Sequence, residues 1–119
     1  MHQQLDGVLS WLRKHQGQQL SIQKFELASG KEQVGDQDRV RIQLERVTRR
    51  NLPYDDPDGY LSPGEVVLHG NGEIMTAGSV EPLPQRAFEI PFRGEISTQV
   101  HGDLLEINTL DTVYTIKAH

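Results

Sequence analysis

The stretch Thr98-Gln99-Val100-His101-Gly102-Asp103-Leu104-Leu105-Glu106-Ile107-Asn108-Thr109-Leu110-Asp111-Thr112-Val113-Tyr114-Thr115-Ile116 decides the fold. Gly102-Asp103 suits a two-residue hairpin loop of type II′, with glycine at the position that needs positive φ. Folding there sets Val100 opposite Leu105 and Thr98 opposite Ile107. A second loop at Leu110-Asp111 sets Ile107 opposite Tyr114 and Leu105 opposite Ile116. All these side chains land on one face. A slip of one residue would turn each to the other face, so the two turns confirm each other's register. Three antiparallel strands in a meander follow.

Upstream, Phe88, Ile90, Phe92, Gly94, Ile96, Thr98 and Val100 share one parity. This predicts a single long strand over about residues 86–101, with Pro91 at an edge or a bulge and Gly94 as a kink. Gly70-Asn71-Gly72-Glu73 contains the strongest short hairpin signal, Asn-Gly. It predicts a hairpin of strands 65–70 and 73–78, with Leu68 facing Met75. Arg39-Val40-Arg41-Ile42-Gln43-Leu44-Glu45 alternates apolar with polar and predicts a half-buried strand over 38–48. Leu20 and Ile22 begin a further strand over 20–28. Phe25 and Leu27 take the other parity there, which a bulge near Gln23-Lys24 reconciles.

The N-terminus has a different period. Leu5, Val8, Leu9 and Leu12 follow i, i+3, i+4, i+7, with Trp11 beside the stripe. Asp6 near the start and Arg13, Lys14 and His15 near the end suit the helix dipole, and Gly17 suits a left-handed stop. A helix over residues 4–16 is expected. The last strands lie at 104–109 and 112–118. The fold class is α+β in one domain, 1–119. One amphipathic helix packs on a curved antiparallel meander of about seven or eight strands, curled toward a partly closed β-barrel.

The composition sets limits on function. The chain has 119 residues, 35% of them hydrophobic, and no cysteine. Disulfides, thiolate metal sites and cysteine nucleophiles are therefore excluded. The core should be thin, which favours self-association. No run approaches the roughly 20 apolar residues of a membrane span, and the N-terminus has no signal-peptide pattern, so a cytoplasmic location is expected. The net charge is −5, which makes nucleic acid an unlikely main partner. Residues 1–50 hold nine Lys and Arg against six Asp and Glu; residues 51–119 hold three against eleven. Interleaving of the halves in the sheet would mix these charges on the surface.

Residues 51–64 hold three prolines and two glycines and form a long connection. Long ordered loops often carry function. Tyr54, Asp55, Asp56, Asp58 and Tyr60 are its candidate binding residues for a protein or small-molecule partner. Its aspartates lack the spacing of an EF-hand. Arg39, Arg41, Arg46, Arg49 and Arg50 form the basic cluster. Such a row can track phosphates, but no exposed aromatics interleave with it. His69 and His101 both border expected turns and could share a metal with Glu73 or Asp103. No catalytic residue, metal site or cofactor pattern is identified. The leading reading is a small non-catalytic interaction or ligand-binding domain, with a homodimer as one form it can take. A metal-assisted hydrolase and a weak nucleic-acid module on the arginine strand are the alternatives.

Overall fold

The structure, a computed structural model, describes residues 3–27, 34–51, 64–76, 78–92, 96–109 and 112–119. Helix α1 runs over Gln3–Lys14. Its apolar stripe of Leu5, Val8, Leu9 and Leu12 is buried, and so is Trp11. A helix this short is held by packing more than by propensity. The Trp11 indole N–H donates to the Gly102 carbonyl at 3.1 Å, pinning the helix to a distant turn. Gly17, at φ +89°, ends the segment in the left-handed region.

Ten strands follow among the described residues: β1 Gln19–Leu27, β2 Val34–Gln43, β3 Arg46–Asn51, β4 Gly64–His69, β5 Gly72–Thr76, β6 Ser79–Pro82, β7 Ala87–Phe92, β8 Ser97–His101, β9 Leu104–Asn108 and β10 Thr112–Ala118. They form a seven-stranded sheet, β6-β5-β2-β1-β10-β9-β8, and a three-stranded sheet, β3-β4-β7. All pairings are antiparallel.

The two sheets are one surface creased along a line. Only Leu44-Glu45 separates β2 from β3, and only Gly70-Asn71 separates β4 from β5. Leu83 and a 3₁₀ turn, Pro84–Arg86, separate β6 from β7. Backbone bonds continue across the crease: Gln43 N–H to Asn71 O at 2.8 Å, Glu45 N–H to His69 O at 2.8 Å and Gly70 N–H to Arg86 O at 2.9 Å. Strands that bend from one sheet to another are how β-structures make corners. The buried face inside the fold carries Leu20, Ile22, Val40, Ile42, Val66, Leu68, Ile90, Leu105, Ile107 and Ile116. The seven-stranded sheet ends in β6 and β8, and the three-stranded sheet in β3 and β7. These end strands do not pair with one another among the described residues, so the barrel is not closed.

The last three strands have the expected register. Val100 pairs with Leu105 and Thr98 with Ile107; Ile107 pairs with Tyr114 and Leu105 with Ile116. Pro91 lies on the edge strand β7, as its missing N–H requires.

Four expectations are corrected. The strand over 38–48 is two strands in different sheets, because Leu44 turns into the core at the crease. The hairpin at Asn71-Gly72 does not form. Leu68 pairs with Val47 and Phe88, and Met75 with Arg39 and Val80. A local hairpin would give β4 and β5 one neighbour each; the crease gives each of them two. The strand over 86–101 is likewise two, β7 and β8, in different sheets. Ile90 and Phe92 of β7 are buried, and Thr98 and Val100 of β8 pair with buried Ile107 and Leu105 although Val100 itself is 53% exposed, so the shared parity hides the break. The bulge is not at Gln23-Lys24. Pairing of β1 with β2 stays regular until a shift between Glu26 and Leu27. Phe25 points outward and pairs with half-buried Val113.

Candidate functional site

The crease leaves a groove of about 660 Å³ on the molecule. Residues of β3, β4, β5, β7 and the 3₁₀ turn line it. Period-2 alternation decides which β3 and β4 side chains reach it. Val47, Val66 and Leu68 face the core, so Arg46 and Arg50, with Val67 and His69, are presented to the other side. Register then sets neighbours: Arg46 lies opposite His69, Thr48 opposite Val67 and Arg50 opposite Glu65. On the far side of β4, Ala87 lies opposite His69 and Glu89 opposite Val67. Half-buried Ile74 and Phe88 and exposed Pro84 supply apolar wall.

The wall at the turn holds unusual backbone. Gln85 and Arg86 are both left-handed, at φ +55° and +54°, and neither is glycine. Such conformations cost about 1–2 kcal/mol per residue and persist where surrounding contacts impose them. Arg86 supplies those contacts. Its Nε donates to Asn71 Oδ1 at 2.8 Å, its guanidinium pairs with Glu45, and its carbonyl accepts from Gly70 N–H.

Arg50 binds two carboxylates at once, Glu65 and Glu89. Glu65 is only 7% exposed, so its charge needs that guanidinium. Thr48 Oγ1 and His69 Nε2 are hydrogen-bonded at 2.8 Å. Burial, and then the charges of Arg46 and Arg50, hold the His69 imidazole below its ordinary pKa. Arg46 is exposed and has no carboxylate within ion-pair distance among the described residues.

The expected site residues are therefore divided. Arg46 and Arg50 share the groove. Arg49 alternates with them and points to the other side of β3. Arg39 and Arg41 are exposed on the seven-stranded sheet, where Arg41 lies opposite Glu73. The crease thus splits the basic row. Pairs such as Arg50 with Glu65 and Arg86 with Glu45 mix the charges of the two halves of the chain. Tyr54, Asp55, Asp56, Asp58 and Tyr60 lie outside the described residues.

His69 and His101 do not share a site. One pairs with Arg46 and Ala87, the other with Leu104 in the other sheet. No group of three metal-ligating side chains forms among the described residues. Sequence reasoning missed Glu65 and Glu89, and placed His69 with His101 instead of with Thr48 and Arg46. A lone glutamate opening the apolar run Glu65-Val66-Val67-Leu68 was the signal for a buried carboxylate; Glu89 carried none.

A second polar cluster faces the inside of the fold. Lys24 Nζ lies 2.9 Å from Glu26, in register with Asp38 on one side and Tyr114 on the other. Burial disfavours its charge, but the Glu26 hydrogen bond and the Tyr114, Glu26 and Asp38 charges outweigh this and raise the ammonium pKa. No described helix is long and apolar enough to cross a membrane.

These features define a small, open, creased antiparallel β-structure, covered by one helix and bearing an arginine-lined groove. The chain belongs to the family described as YmzB-like protein, whose model matches residues 1–119. It is similar to the uncharacterized protein YmzB of Bacillus subtilis (strain 168), at 38% identity over 106 residues, covering 89% of this chain and 87% of that relative. No solved structure matches it.

Proposed function

We propose that this protein is a small non-catalytic binding domain and that the groove at the crease is its binding site. The observation that carries the reading is the pairing of partly exposed apolar wall, Ile74, Ala87 and Phe88, with polar groups converging on it, Arg46 and His69. Ligand sites characteristically combine apolar lining with a few placed polar groups.

The same geometry suits binding better than catalysis. Thr48 and His69 resemble a nucleophile and its base, but a base must accept a proton, and Arg46 and Arg50 oppose that charge. No carboxylate hydrogen-bonds the second nitrogen of His69 among the described residues. A nucleic-acid role fits less well, since Arg50 is spent on Glu65 and Glu89.

The test is a fragment titration followed by two-dimensional amide NMR. Hits should shift the resonances of Val67, His69, Ala87 and Phe88 together. Filling the groove with Ala87→Trp should abolish those shifts while the rest of the spectrum is retained. Hits that cluster elsewhere and survive Ala87→Trp would refute the assignment.

A further inference from the structure

We infer that the groove takes an amphipathic monoanion, a carboxylate carried on an apolar body, with Arg46 as its anchor. The inference rests on the groove being the binding site. It follows from the charges along that surface. Both carboxylates there, Glu65 and Glu89, are already bound to Arg50. A cationic ligand would have to displace Arg50 and leave the buried Glu65 without its partner, which is costly. A neutral His69 adds no charge. Arg46 then remains as the one groove cation without a carboxylate among the described residues. Its guanidinium offers paired N–H donors that match a carboxylate bidentately.

The body of the ligand is set by the other lining residues. Val67, Ile74, Pro84 and Phe88 lie along the same groove as Arg46. An inorganic anion would leave that apolar surface wet; a hydrocarbon alone would leave Arg46 unused. A single unmatched positive charge favours a carboxylate over a doubly charged phosphate ester.

The experiment uses the whole chain and four probes of one length: octanoate, octyl phosphate, octanol and octylammonium, each titrated by amide NMR. Octanoate should bind most tightly and shift Val67, His69 and Phe88. Arg46→Gln should weaken octanoate by about tenfold or more, as loss of a charged hydrogen bond requires, and leave octanol binding unchanged. Arg46→Lys should retain part of the affinity. Arg39→Gln, on the other sheet, should leave it intact.

Equal binding of octanol and octanoate, or indifference to Arg46→Gln, would overturn the anion inference while the groove reading stands. Preference for octylammonium or octyl phosphate would overturn it in the same way. If none of the four probes shifts the groove resonances, the groove reading falls too.

Discussion

The meander β8-β9-β10 and the crease joining β2-β3, β4-β5 and β6-β7 are built from the same alternating residues, yet they differ in kind. In the meander each strand pairs with its neighbour in sequence through short turns. In the crease, Arg46 meets His69 and His69 meets Ala87, partners far apart in the chain. The meander's glycine serves a turn: Gly102 sits at φ +62° with open space around the place a Cβ would occupy. The glycine of the crease serves proximity: a Cβ on Gly70 would lie 1.8 Å from the Gln43 carbonyl oxygen. One region is set by local backbone preference and the other by how closely two backbones must pass. The groove lies in the second.

The strongest way to break this contrast is Gly70→Ala. The clash is with backbone, which cannot swing aside, so the substitution should cost about 4 kcal/mol or more. Urea denaturation measures it. A loss below about 1 kcal/mol would show that the crease relaxes freely, as an ordinary turn does.

Gly102→Ala sharpens the other side. Only the left-handed φ opposes it, so a loss of about 1 kcal/mol is expected in the same denaturation experiment. A cost as large as that at Gly70 would mean the two glycines play one role.

Gln85→Gly tests whether the crease stores strain. Relief of a left-handed residue, offset by the extra chain entropy of glycine, should raise stability by about 0.5 kcal/mol. A rise in melting temperature is the expected reading, and a fall would place Gln85 in contacts that reward its conformation.

The smallest effect concerns pH. His69 has a folded pKa below its ordinary 6.5, so the unfolded chain takes up the proton first. Its contribution to stability is therefore full above about pH 6.5 and declines as pH falls toward the folded pKa. The denaturation midpoint should drop across this window, and His69→Gln should flatten that part of the curve. An unchanged slope in the variant would assign the decline to other groups.

The sequence by itself determined the helix, its buried stripe of Leu5, Val8, Leu9 and Leu12, the inward or outward face of most strand residues, and the register of the last three strands. These depend on period and on turn chemistry, which act over a few residues. Only the tertiary structure decided that the alternating segments 38–48 and 86–101 each divide between sheets, and that Asn71-Gly72 is a crease and not a hairpin. Both sheets line one core, so inward and outward alternate identically on either side of a break and the pattern carries no mark of it. The groove inherits that limit. Arg46 and Arg50 could be named from their chemistry, but Glu65, His69, Phe88 and Glu89 join them only through strand pairing, a choice made by burying the whole surface at once.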